Sequence, residues 1–393
     1  DYDHSSRISR WRPGTRMAYC NSGPAVAAYI VEKIAGKSFE EYVGQKFFKP
    51  IGMQTATYFQ PVSELGTPLY YSDGKTPHPY WNLLYRPIGS INASANDMAN
   101  YLLFYLNRGN VHGTQVIPAT ILNRMEVPSS TWAAKEGLQV GYGLSNYCTI
   151  YDGFVYHGHD GNVPGGHTAM EYMPNEGIGY FYSINSGNRA AFEKIGMLIR
   201  AYITRQLPKP SIPPVVSLPE KTIAYTGWYE PNSPRVELFS FLERLIGMAY
   251  IHFADNKLLV NSLGEKNAIF LPVTDTQFLY VPMNESHDPV PTLKLLKPNA
   301  EGQFIQISLG LRNALSLHVT MKRIPTWLAI FEIITAGFVL LTLMSTLVYA
   351  PFWILRGLSK KHRHPEERSM RLWPLIAVLS LLCIVAICML SND

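Results

Sequence analysis

Two short segments of this chain hold residue types that could carry out acid–base or hydrolytic chemistry. Tyr19-Cys20-Asn21 sets a phenol two residues before a carboxamide at the start of a helix-like stretch, so both groups could enter one cleft. A plain helix start with Asn21 as N-cap suits the same residues. The second segment is His157-Gly158-His159-Asp160-Gly161-Asn162-Val163-Pro164-Gly165-Gly166-His167. Its glycines let a backbone approach a bound ligand closely, and His159 offers a titratable hydrogen-bonding group beside that backbone. A hairpin turn with surface histidines also accounts for it. No metal motif, phosphate loop or strand-to-helix Gly-x-Gly-x-x-Gly accompanies these segments, and no cofactor is implied.

The elements that must position these residues are legible in part. Asn21 to Ile34 carries Val26, Ile30, Val31 and Ile34 at helical spacing, and Gly36 follows as a stop. Ser38 to Phe48 opens with Ser38 and Glu41 in the capping-box spacing and ends at Pro50 and Gly52. Ser94 to Leu106 places Asp97 in its first turn and Met98, Tyr101, Leu102 and Tyr105 on one face. Phe154–His157, Thr168–Met173 and Gly179–Ile184 read as short strands. Residues 1–206 are therefore mixed α and β.

Residues 207–221 contain five prolines, which disfavour helix and sheet alike and mark a stiff linker. Residues 222–323 carry short alternating runs: Ala249–Phe253, Lys257–Val260, Ala268–Val273, Gln277–Val281, Leu293–Leu296, Phe304–Leu309 and Leu315–Met321. Strands this regular predict a small antiparallel sandwich or barrel.

Residues 326–355 hold the single charge Glu332, and 372–390 hold none. Each can span a hydrocarbon core of about 30 Å. The loop between them, 356–371, sets Arg356, Lys360, Lys361, Arg363, Arg368 and Arg371 against Glu366 and Glu367. By the positive-inside rule this loop is cytoplasmic and both folded regions lie outside. The expected location is the cell membrane, multi-pass, with a lipid bilayer as one partner. The net charge of +5, without a basic run interleaved with aromatics, argues against a nucleic-acid partner. Cys20 and Cys148 are read as two buried thiols, with one bridge between them as the other possibility.

Several motifs fall in a fixed order. After Tyr19-x-Asn21 come Glu32–Tyr42, Phe48-Lys49-Pro50-Ile51-Gly52-Met53, Arg86-Pro87-Ile88-Gly89-Ser90, Gly141-Tyr142-Gly143-Leu144, His159-Asp160-Gly161 and Met173–Gly179. In this order, over about residues 10–200, the chain resembles the β-lactamase-related serine hydrolases. That family groups class C β-lactamases, D-alanyl-D-alanine carboxypeptidases, D-aminopeptidases and some esterases. The resemblance implies an α+β, β-lactamase/transpeptidase-like fold, an antiparallel sheet flanked by helices.

It also implies site roles. Tyr19 matches the catalytic tyrosine and Asn21 the asparagine that orients the substrate amide or the active-site lysine. His159-Asp160-Gly161 matches the third motif, Lys-Thr-Gly in many members and His-x-Gly in others. His159 would hydrogen-bond the substrate or the Tyr19 hydroxyl, and Asn162, after Gly161, would supply an oxyanion-hole N–H. Histidine in place of lysine shifts the expected substrate towards a small peptide, amide or ester. The family's Ser-x-x-Lys should precede Tyr19 and does not occur there. Ser72-Asp73-Gly74-Lys75 follows Tyr19, and its glycine suits a loop, so it is read as a decoy. The expectation is a domain lacking its N-terminal part, with the nucleophile upstream of Asp1.

The resulting division is a hydrolase domain over 1–206, a linker over 207–221, and a small all-β domain over 222–323. A transmembrane helix over 326–355, a basic loop over 356–371 and a second transmembrane helix over 372–390 complete it. The 222–323 region resembles the barrel appendage of some family members, with Tyr225–Tyr229 as its opening strand. The rival expectation is an inactive, penicillin-binding-protein-like binding or sensory protein.

Overall fold

The computed structural model describes residues 17, 19–61, 66–129, 131–234, 237–282, 288–308, 318–359 and 365–390. Pro13–Arg16 and Ala18 of the first motif, Leu309, Leu315–Leu317, and Lys360, Lys361 and Arg363 of the basic loop lie outside the described residues. Residues 1–324 form one compact unit and 325–393 a second.

In the first unit, helix α1 (Ser22–Ala35) ends at Gly36, whose φ of 66° a side chain would strain. Helix α2 (Phe39–Val43) starts where the Ser38 hydroxyl accepts the Glu41 N–H at 3.2 Å, and runs into a π-helical turn over Gly44–Phe48. A hairpin of β1 (Leu69–Tyr70) and β2 (Pro77–His78) follows. Ser72–Lys75 is its turn, with Gly74 at φ 65° and the Asp73 carboxylate accepting the Lys75 N–H at 2.8 Å.

Helix α3 (Ala95–Leu106) opens with a complete capping box between Ser94 and Asp97. Burial raises the Asp97 pKa, but hydrogen bonds from Thr55 and Ser94 outweigh it and hold the carboxyl below the usual range. Strands β3 (Asn110–Val111) and β4 (Thr114–Gln115) and helices α4 (Ala119–Glu126) and α5 (Trp132–Lys135) lead to the main sheet.

That sheet is antiparallel, in the order β5 (Tyr147–Tyr151), β6 (Phe154–Val163), β7 (Gly166–Met173), β8 (Ile178–Ile184). One face packs Met170 and Tyr172 on Leu102 and Tyr105 of α3; the other packs Tyr156, Met173 and Tyr180 near Ile199 and Ile203 of α6 (Arg189–Thr204). A sheet covered by helices on both faces is the architecture expected for this region.

The all-β part closes as an eight-stranded barrel. Its strands are β9 (Gly227–Pro231), β10 (Ala249–Ala254), β11 (Lys257–Ser262), β12 (Ala268–Pro272), β13 (Gln277–Val281), β14 (Leu293–Leu295), β15 (Phe304–Ile307) and β16 (Val319–Ile324). A short helix α7 (Ser240–Ile246) lies between β9 and β10. Asp255 and Asn256, at φ 50° and 59°, form the tight turn between β10 and β11. Tyr229, Ile251, Leu258, Phe270, Phe278, Leu293, Ile305 and Met321 fill the interior.

Leu296 and Phe304, outside the barrel's interior core, pack with Trp132, Ala133 and Leu138. The Gln277 amide donates to the Gly137 carbonyl at 3.2 Å, and the Ser233 hydroxyl to the Met17 carbonyl at 2.9 Å. Barrel and sheet region are thus joined by direct contacts.

The second unit holds helices α8 (Thr326–Ser359) and α9 (Pro365–Leu390). By length and composition, Thr326–Arg356 is long and apolar enough to cross a membrane; Ser369–Ile384 is a shorter apolar stretch. Cys20 is exposed and Cys148 buried, so the reading of two buried thiols fails at Cys20, and no disulfide joins the two.

Candidate active site

The chain brings the two chemistry-bearing segments together. Tyr19 lies just before α1, and its ring centroid is 6.3 Å from that of His159 and 5.9 Å from that of Tyr142. Asn21 occupies the N-cap position of α1 but makes no cap hydrogen bond, and it is exposed. The simple capping explanation of Tyr-x-Asn therefore fails for its side chain.

His159, Asp160 and Gly161 are not in a turn. They sit within β6, and the turn comes later, at Gly165 with φ 82°. Strand β5 pairs only with Phe154–Gly158, so His159–Val163 run past it with one strand edge unpaired among the described strands. Gly161 and Asn162 lie on this stretch, opposite Thr168 and His167 of β7. A Cβ on Gly161 would come within 2.7 Å of the Thr168 hydroxyl, so glycine permits the close strand approach here. The flanking histidines are not surface groups. His167 is buried, and burial pulls the His157 pKa down.

Both ring nitrogens of His159 are engaged. Nδ1 lies 2.5 Å from the Asp160 carbonyl oxygen, and Nε2 lies 2.7 Å from the Tyr142 hydroxyl. Where the substrate or the Tyr19 hydroxyl is expected as partner, Nε2 instead meets Tyr142, a residue to which the sequence assigns no role. One cue was available: Tyr142 stands between two glycines. A Cβ on Gly143 would meet the Met125 carbonyl oxygen at 1.9 Å, and one on Gly141 would meet Pro128 at 3.0 Å. Only glycine lets the chain pass this close to α4, and that passage holds the Tyr142 ring at the site.

Behind the site lie two buried polar networks. Tyr147, 5.6 Å from the His159 ring, donates to Glu171 at 3.3 Å. Burial raises the Glu171 pKa, opposed by a hydrogen bond from Tyr180 and by Arg200, 3.8 Å away. In the second network Glu126 accepts from Arg108 at 2.6 and 2.8 Å and from Tyr172 at 2.8 Å. The Asn146 amide donates to the Tyr172 hydroxyl at 2.9 Å. Together they tie β5, β7 and β8 to α4 and α6, on both sides of the strand that carries His159.

The model of the beta-lactamase family matches residues 6–202. Penicillin-binding protein 4 of Amycolatopsis lactamdurans is 26% identical over 239 residues, which is 56% of this chain and 60% of that protein. Beta-lactamase-like protein 2 of Dictyostelium discoideum is 30% identical over 117 residues, 28% of this chain and 21% of that protein. The chain thus spans less than two thirds of either relative. Among solved structures, the octameric penicillin-binding protein homologue from Pyrococcus abyssi is similar with a TM-score of 0.40. Its identity is 18%, with 81% of this chain and 68% of that one covered.

Proposed function

The chain belongs to the beta-lactamase family, and from that premise we propose that it is a serine hydrolase forming an acyl-enzyme on a small peptide, amide or ester. The observation that carries this reading is the meeting of Tyr19 with His159 on the open edge of β6, beside the uncapped Asn21. In the mechanism a serine hydroxyl attacks the substrate carbonyl. Its proton passes through a paired lysine and Tyr19 to the leaving group, and water then hydrolyses the acyl-serine. Asn21 orients the substrate amide, His159 acts at the same corner of the cleft, and the N–H of Asn162, beyond Gly161, holds the oxyanion. The serine and lysine belong to a Ser-x-x-Lys motif upstream of Asp1. Supporting this, Ser72–Lys75 is a hairpin turn, unsuited to projecting both side chains from one helix face.

The proposed organisation keeps the hydrolase domain at 1–206, the linker at 207–221, the barrel domain at 222–323 and two membrane-spanning helices beyond. Almost none of the apolar window of α8 is buried, which suits lipid better than a soluble core. The Arg371 guanidinium donates to Tyr349 at 2.6 Å, a bond between α9 and α8 that supports a hairpin. The helices reach into the expected loop, since α8 runs to Ser359 and α9 starts at Pro365; with the segment joining them cytoplasmic, the folded domains are extracytoplasmic.

The test is Tyr19→Phe in the full-length protein. Turnover should fall about 10²–10⁴-fold with little change in substrate affinity, because a proton-transfer phenol acts mainly in the transition state. Exposed His112 is the control; His157 and His167 are too buried to serve. Intact turnover in Tyr19→Phe would reduce Tyr19 to a packing residue. Substrate binding without any turnover in the wild type would favour a binding or sensory protein.

A further inference from the structure

His159 has no ring nitrogen left for a substrate. The Asp160 carbonyl oxygen can only accept, so Nδ1 carries a proton. In the neutral ring Nε2 is then a lone pair, and the Tyr142 hydroxyl donates to it across 2.7 Å. The phenol's proton is committed to the imidazole, and its oxygen keeps only acceptor capacity. Burial, then the nearby Tyr19 and Asp160, push the Tyr142 pKa well above that of an ordinary phenol, so the proton stays on oxygen.

Tyr142 is also held in place on both sides while its ring stays half-buried. The Cys148 N–H donates to the Gly141 carbonyl at 2.9 Å, and the Gly143 N–H to the Asn146 carbonyl at 2.8 Å. A group fixed by its backbone neighbours, edge-on to Tyr19, meets the requirement for preorganised recognition.

We propose that Tyr142 is a further catalytic residue of this cleft: its hydroxyl oxygen accepts a hydrogen bond from the scissile N–H of an amide or peptide substrate. His159 is the positioning residue that holds the phenol's own proton. The proposal rests on the hydrolase reading above. An ester with the same acyl group has no N–H at the scissile bond, so this contact favours amides over esters.

The test uses N-acetyl-alanine amide and N-acetyl-alanine methyl ester as a matched pair. Turnover is measured with the full-length protein, and binding is followed by saturation-transfer NMR. Tyr142→Phe keeps the ring and should lower kcat/KM for the amide about tenfold while leaving the ester within about twofold. His159→Ala should erode the same preference. His159→Gln, whose carbonyl can accept from Tyr142, should restore part of it. Equal losses on both substrates, or none on either, overturn the proposal and leave the hydrolase reading standing. If the wild type turns over neither substrate, the hydrolase reading fails and binding decides. Amide binding lost in Tyr142→Phe then upholds the Tyr142 contact; unchanged or absent binding overturns it.

Discussion

His318 makes the barrel sensitive to acid. It is only 5% exposed, neither ring nitrogen has a hydrogen-bond partner among the described residues, and burial pushes its pKa down to about 3 from the ordinary 6.5. With the folded value depressed, the unfolded chain binds the extra proton first. The stability contribution is complete above pH 6.5 and is lost as pH falls towards 3. At pH 4.5 the unfolded imidazole is almost fully protonated and the folded one almost not at all. Two pH units at about 1.36 kcal/mol each give a loss of about 2.7 kcal/mol relative to pH 7.5. The assay is urea unfolding of the full chain in detergent micelles at both pH values, for wild type and His318→Leu, read by circular dichroism in the transition that unfolds the barrel. Carboxylates titrate in both proteins, so the difference isolates His318. At pH 7.5 the variant should be at least as stable, since it buries no unpartnered polar atom. The reasoning fails if the two proteins lose stability in parallel, within roughly 0.5 kcal/mol, a fraction of the linkage value.

Arg108→Ala should cost about 3–5 kcal/mol in denaturant unfolding, because it leaves the buried Glu126 without its two-pronged partner. Alanine keeps the same backbone cost at φ 52°, and adding Glu126→Gln should recover part of the loss. Gly143→Ala should destabilise by at least about 1–3 kcal/mol, since its Cβ would strike the Met125 carbonyl. Gly23→Ala, where a Cβ meets nothing within 4 Å, should stay within about 1 kcal/mol of wild type by the same measurement.

Much of the fold was legible where local chemistry and tertiary packing agree. Ser94 and Asp97 announce α3, Gly36 ends α1, and the runs beginning at Ala249, Lys257, Ala268 and Gln277 are barrel strands with inward apolar residues. Strand β5 was missed because four of its five residues, Tyr147 to Ile150, are buried, so no alternation exists to detect. The π-turn at Gly44–Phe48 is a hydrogen-bond register, which apolar spacing does not encode. On the other barrel strands burial does not alternate. Polar Lys294, Gln306 and Thr320 on the strands are buried, as are Thr292, Ser308 and His318 just outside them. At the site, Tyr19 and His159 could be named from residue type, and they do meet. Tyr142 could not, since its role depends on where a glycine-flanked turn delivers a hydroxyl.

The barrel closes by pairing its first strand with its last, Trp228 opposite Ile324. The chain therefore enters and leaves this unit on adjacent strands, about 5 Å apart. Gly227 and Ile324 are thus held side by side at one end of the barrel, although about a hundred residues separate them in the chain. A cut across both strands at this point would leave two chain ends close enough to rejoin with a short link.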